Sequence, residues 1–321
     1  MSEKIEPAEN AMDGVKPKSK DVFFLGGDDR EMRRIAWNLR RTGAKIASAI
    51  TTWEKADVAP HTERIQQIID EGDTPVAIEL RGAENVPGLV DVDHHNQKSH
   101  RPAALLQVLD RLGVRPRMAD RMVAANDAAY IPGMNKFIEE ELERMKKDGA
   151  SPTRLTSVYK WLSVMKDMIR HGDREAQGVT KEMEQEAEIA IQHAEKGPDG
   201  TTIIRLRGDR PSPVTDRLYD TWPNGEQKLV VICREDQAVK EVWYFGDGQL
   251  CQELAEHFKS IRQHRIDSGA FVEPPAGEPR GEYHSFSGGQ GRGKKGENAL
   301  ALVVVSDPQE VLDYIADRQA V

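Results

Sequence analysis

The run Val90-Asp91-Val92-Asp93-His94-His95-Asn96 carries a carboxylate and two adjacent imidazoles straight off a short apolar strand. Oxygen and imidazole donors together suit manganese, magnesium or iron rather than a thiol-seeking metal. Neighbouring residues on an extended chain point to opposite sides. One His can therefore bind a metal while the other reaches a substrate phosphate. The plainer alternative is a solvated strand-to-loop turn that happens to hold two histidines. Three further positions bear on that choice: Glu79 closes the preceding strand (VAIEL), Asp28 and Asp29 follow the first strand after a double glycine, and Asp127 ends an apolar helical stretch (MVAANDAAYIPGM). Each singly could be a cap or an exposed carboxylate. Their common placement predicts convergence on one metal site.

The elements that must deliver these residues alternate. Val22–Leu25, Ile46–Ile50, Val76–Leu80 and Leu89–Val92 read as strands. Between the first two, Met32, Ile35, Ala36 and Leu39 fall at helical spacing, and Thr62–Glu71 reads as a second helix. Strands alternating with helices imply a parallel sheet covered on both faces, with ligands at the carboxyl ends of the strands. Pro102–Gly113, Met118–Ala129 and Asn135–Lys147 read as successive helices, and Ser151–Lys196 as a helical connector with an apolar stripe of Val158, Trp161, Leu162, Met165, Met168 and Ile169. From Thr201 a second set begins: strands at Thr202–Leu206, Lys228–Cys233, Glu241–Phe245 and Ala299–Val305, with helices around Leu250–Ile261 and Pro308–Arg318. The expected architecture is α/β throughout. A tail (1–20) precedes a parallel-sheet domain (21–148), a helical connector (149–200) and a smaller mixed-sheet α/β domain (201–321).

The 321 residues suffice for two domains, and 38% hydrophobic against 31% charged residues reads as globular. No apolar run is long enough to cross a bilayer, and the first twenty residues lack the apolar centre of a secretory signal. Two cysteines, Cys233 and Cys251, cannot make a disulfide framework, so a reducing, cytoplasmic setting is the default expectation. A net charge of -9 disfavours a long duplex-binding surface but leaves room for a small phosphorylated ligand.

The order of these elements resembles the DHH phosphoesterase superfamily, which includes family II inorganic pyrophosphatases, oligonucleotide-degrading exonucleases and cyclic-dinucleotide phosphodiesterases. The resemblance runs from about Asp21 to the end of the chain. It rests on Asp93-His94-His95, the acidic turn after the first strand, Glu79 at the second-motif position and Asp127 at the fourth. It implies His94 as a metal ligand and His95 as a phosphate contact, with Asp93, Asp127, Glu79 and Asp28 or Asp29 completing the set around one or two ions, Mn2+ first, Mg2+ or Fe2+ otherwise. The C-terminal half is similar to the DHH-associated domain. Its glycine-rich loop would here be Ser287–Gly293, gripping substrate through Gly288, Gly289, Gln290, Gly291 and Arg292 with the nearby Lys294; the alternative is a basic surface turn. The first motif departs from the family pattern, having no histidine and adjacent aspartates, so that Gly27 or Arg30 falls where the other aspartate would be. Arg30 could act catalytically by neutralising phosphate where a second ion would sit, or could simply solvate a helix face. The resemblance implies hydrolysis of phosphodiester bonds in short single-stranded oligonucleotides or small nucleotides, with no membrane partner and a homodimer left open. The alternative is a lapsed member that binds a nucleotide or protein partner without hydrolysis.

Overall fold

Phe23 and Phe24 lie side by side on one strand, and both are fully buried. That requires cover on both faces of the sheet. The computed structural model describes residues 20–95, 98, 100–197, 200–219, 228–273, 281–288, 293, 295 and 298–319. Within them β1 (Asp21–Phe24), β2 (Lys45–Ile46), β3 (Thr74–Ile78) and β4 (Val90–Val92) form an all-parallel sheet in the order β2-β1-β3-β4. Side chains alternate across it. Phe23, Leu25, Val76, Ile78 and Val92 pack with α1 (Arg30–Thr42), α3 (Ala104–Arg111) and α4 (Met118–Lys147). Val22, Phe24 and Ala77 pack on the other face with Ile65 and Ile68 of α2 (Thr62–Asp70). Each such buried Phe, Ile or Leu contributes roughly 1.5–3 kcal/mol, so the central strands dominate the core's energetics.

The strand expected over 46–50 pairs only at Lys45–Ile46. Beyond Ala47, whose N–H still donates to the Phe23 carbonyl, the Ser48 hydroxyl accepts from the Leu25 N–H at 2.8 Å. A side chain thus takes the place of a backbone rung, and the edge strand ends there.

The long α4 is broken at Ala129 (φ -149°, ψ 23°) and Tyr130 (φ 56°, ψ -145°), just ahead of Pro132. Proline has no N–H to donate and clashes with the preceding turn, which accounts for the break. Two helices follow, α5 (Pro152–Ala176) and α6 (Lys181–Gln192), with Gly178 turning the chain at φ 72°.

The second sheet is mixed, with order β5-β6-β7-β8-β10-β9. Its strands are β5 (Glu195–Lys196), β6 (Thr202–Arg205), β7 (Leu229–Cys233), β8 (Lys240–Asp247), β9 (Ser285–Gly288) and β10 (Asn298–Val305). The β6–β7 pair is parallel and the rest are antiparallel. α8 (Gly248–Asp267) and α9 (Gln309–Gln319) bury Leu254, Phe258, Val311 and Ile315 against one face. The other face meets Ala187 of α6 and Val214 of α7 (Ser212–Leu218). β5 lies inside the stretch read as helical connector. It pairs with β6 because the chain reverses at once, the Gly197 N–H donating to the Thr201 carbonyl at 2.7 Å.

The two halves meet at a buried polar junction. Arg170 of α5 donates to Asp173 (2.7 Å), to the Asn126 side-chain carbonyl (3.0 Å) and to Asp216 of α7 (3.1 Å). The Tyr130 hydroxyl donates to Asp216 at 2.6 Å, and Arg174 closes on the same carboxylate. Asp173 also accepts from the Arg30 backbone N–H at 3.1 Å, which ties the start of α1 to α5.

Candidate metal centre

A parallel sheet presents all its carboxyl ends at one edge, and here that edge gathers Glu79, His94 and His95. Glu79 directly follows β3 and adopts a left-handed backbone (φ 53°), a conformation that costs a non-glycine residue on the order of 1–3 kcal/mol. His94 follows β4 by one residue and is buried. Asp127 comes down from the last regular turn of α4 before its break. The fourth member, Glu31, lies in the first turn of α1 and is almost wholly buried.

Ligand atoms of Glu31, Glu79, His94 and Asp127 all lie within 4.8 Å of one another. The His94 Nε2 is 3.3 Å from Glu79 Oε1 and 3.9 Å from Glu31 Oε2, and it is closest of all to Asp127 Oδ2. Despite these approaches, Glu31 Oε2, both Glu79 oxygens, His94 Nε2 and Asp127 Oδ2 are buried and make no hydrogen bond of acceptable geometry. Two ionised carboxylates at about 4–5 Å repel by roughly 3–4 kcal/mol at an effective dielectric of ~20. That exceeds the roughly 1 kcal/mol a hydrogen bond returns, so the cluster works against the metal-free fold. Three carboxylates and one imidazole with ligand atoms close together fit a divalent cation that prefers oxygen and nitrogen and would displace the His94 proton.

The ionisation of the groups follows from this crowding. Burial, reinforced by the neighbouring carboxylates, pushes Glu31 and Asp29 well above the usual carboxylate range. Burial also raises Glu79, partly offset by the two histidines. Burial opposes a charge on His94, but the Asp127 and Glu79 carboxylates beside it outweigh that and push it up to about 10. Asp127 has the opposite balance: burial raises it, and the neighbouring imidazoles hold it below its ordinary value.

The other expected site residues are placed as follows. Asp29 is the N-cap of α1, accepting from the Met32 N–H at 2.7 Å, at the border of the cluster. Asp28 turns to Arg33 in a partly exposed bidentate ion pair (2.6 and 2.8 Å). Asp93 accepts from the His95 N–H (2.9 Å), from His95 Nδ1 (3.0 Å) and from Lys98 (3.0 Å), so it holds His95 in position. Burial would raise the Asp93 carboxyl, but these donors carry it far below the carboxylate range. It is therefore an acceptor only, and His95 Nδ1 carries the proton. His95 remains half-exposed, with Nδ1 3.5 Å from Glu79 Oε1. The Arg30 side chain lies along α5 at Gly172, where an added Cβ would sit 3.2 Å from its Cδ. Gly288 is the last residue of β9, paired with Leu300. Gly289, Gln290, Gly291, Arg292 and Lys294 lie outside the described residues.

Glu31 is the candidate ligand that sequence reasoning missed. The signal was present: Glu31, Ile35 and Leu39 share the buried stripe of α1, and a carboxylate on an apolar stripe asks for a partner. Its Oε1 accepts from the Leu105 N–H at 2.8 Å, which leaves Oε2 for the cluster.

The turn between β1 and α1 is shaped by two glycines. A Cβ at Gly26 would lie 2.6 Å from the Ile78 carbonyl oxygen, and one at Gly27 would lie 2.2 Å from Cδ2 of Trp53. The Trp53 indole is 40% exposed and meets the His95 ring edge-on at 6.3 Å.

No protein-family model matches the chain, and no curated protein matches it. Among the described residues no helix is long and apolar enough to cross a membrane.

Proposed function

We propose that the chain is a metal-dependent phosphoesterase of the DHH type, hydrolysing phosphodiester bonds of short oligonucleotides or small nucleotides. The observation that carries the reading is the set of four residues, Glu31, Glu79, His94 and Asp127, with buried, hydrogen-bond-orphaned ligand atoms at the carboxyl edge of a parallel sheet. An ion held there, Mn2+ before Mg2+ or Fe2+, would lower the pKa of a bound water and neutralise phosphate oxygens. His95, fixed through Nδ1 by Asp93, offers its Nε2 to a phosphate oxygen at the exposed side of the centre. Lys98 holds Asp93 and Asp91 together and so steadies that arrangement from behind.

One ion fits better than two. Where the resemblance asks for a first-motif carboxylate, Gly27 has no side chain, and the Trp53 indole fills the space one would need. The same observation favours the second reading, a protein that has kept one metal site and binds its ligand without cleaving it.

The deciding experiment is Mn2+-dependent hydrolysis of short RNA and DNA oligomers, cyclic dinucleotides and pyrophosphate, beside a His94→Ala, His95→Ala double variant. Turnover lost in the variant supports the phosphoesterase. A folded, Mn2+-loaded protein silent on every substrate leaves the binding reading.

A further inference from the structure

We propose that Trp53 is a stacking platform for a nucleobase, placing the base of a nucleotide beside the phosphate that His95 receives. The inference rests on the nucleotide reading above and adds a specificity-determining residue to it.

The argument begins with how the indole is held. A Cβ on Gly27 would stand 2.2 Å from Trp53 Cδ2 and 2.6 Å from both Cε2 and Cε3. Cδ2 is bonded to each of the other two atoms, so equal and slightly longer distances to them place that point over the face of the ring, not beside its edge. The glycine backbone therefore backs one face of the indole at a distance no side chain permits. Trp53 opens a short 3-10 turn, and the parallel bridge between Gly27 and Thr51 anchors the chain just ahead of it. With one face backed and 40% of the residue still exposed, the opposite face is the one open to a ligand. The His95 ring neighbours the indole in a T-shaped arrangement, 73° between planes and 6.3 Å between centroids.

Another exposed tryptophan provides the contrast. Trp37 is also 40% exposed, but guanidinium groups of Arg34 and Arg41 lie over its ring at 4.4 and 4.9 Å. Its π-face is already occupied. No cation stacks on Trp53 among the described residues. A rigidly backed, partly exposed indole with no stacked cation, beside an imidazole, is what a nucleoside phosphate requires, since every base has a π-face and its phosphate lies a short reach away.

The test uses the full chain with saturating Mn2+ and two probes, adenosine 5′-monophosphate and ribose 5-phosphate, which share a phosphate and differ by the base. Calorimetric titration of wild type should give tighter binding for the nucleotide. Trp53→Ala should weaken nucleotide binding about ten-fold or more, the scale of one base–aromatic stack, and leave ribose 5-phosphate unchanged. Trp53→Phe should keep most of the preference. Trp53→Leu should lose it while still covering Gly27 with apolar bulk, so loss from stacking is separated from collapse of the turn. Equal binding of the two probes by wild type, or equal weakening of both by Trp53→Leu, overturns the inference. Base-dependent binding without turnover on any substrate would instead retire the hydrolase reading and leave the platform standing.

Discussion

Asn126 and Asp127 are consecutive on α4, yet they belong to two buried groups of ionisable side chains built on opposite terms. The junction around Arg170 is balanced: Arg170 and Arg174 face Asp173 and Asp216, with Asn126 and the Tyr130 hydroxyl bonded into the same network. The centre around His94 has three carboxylates to one imidazole, with Asp29 at its border, and its innermost atoms lack hydrogen bonds. Burial treats both alike, so the difference is informative. A charge-balanced cluster, in which Arg174 Nε is the one atom lacking a hydrogen bond among the described residues, can serve as a structural joint. A buried cluster of surplus carboxylates with unpaired atoms is suited to receive a cation.

The comparison can be broken most forcefully from the balanced side. Arg170→Met leaves Asp173 and Asp216 buried with reduced compensation and should cost about 3–5 kcal/mol in a denaturant melt, with or without Mn2+. A loss below about 1 kcal/mol would mean that the junction is solvated and not a joint. The same kind of neutralisation in the other cluster should run the opposite way. Glu31→Gln keeps the oxygen that accepts from Leu105 and removes one like charge. The metal-free melting temperature should hold or rise, while the Mn2+-induced increase, worth about 2.7 kcal/mol at a hundred-fold excess over Kd in wild type, should largely vanish.

The pH dependence should separate the states next. Glu31, Glu79, Asp29 and His94 all hold protons to higher pH when folded than when unfolded. Stability from such groups is complete below their unfolded values and is lost as pH rises through the folded ones, which for His94 is about 10. In chelator, the melting temperature should therefore fall from roughly pH 5 towards pH 10. With Mn2+ the fall should flatten, because the ion replaces the departing protons. Parallel curves would deny that metal and protons compete for these atoms. The smallest effect is expected at Asp28, beside the centre in sequence but paired outward with Arg33. Asp28→Ala should change stability by less than about 1 kcal/mol and leave the Mn2+ shift in place.

Much of the first sheet was legible because three of its four strands are apolar runs bounded by glycine or acidic residues, and the helix after β1 carries a clean stripe. The centre was legible where strands end in Glu79 and His94. What sequence could not supply was direction. Asp28 and Asp29 are alike and adjacent, and only the fold turns one to Arg33 and makes the other a helix cap. Glu31 was hidden among the arginines of α1. The short strands β5 and β9 escaped because two and four residues show little periodicity; partners distant in the chain, not local pattern, make them strands.

The adjacency of Asn126 and Asp127 also governs which lengths of α4 can be inherited. One residue added between Met118 and Asn126 would rotate everything after it by about 100° around the helix axis. Asp127 would leave the carboxylate centre in the same step that Asn126 leaves Arg170. A single-codon insertion there would disable receptor and joint together, so this stretch should tolerate substitution far better than any change of length.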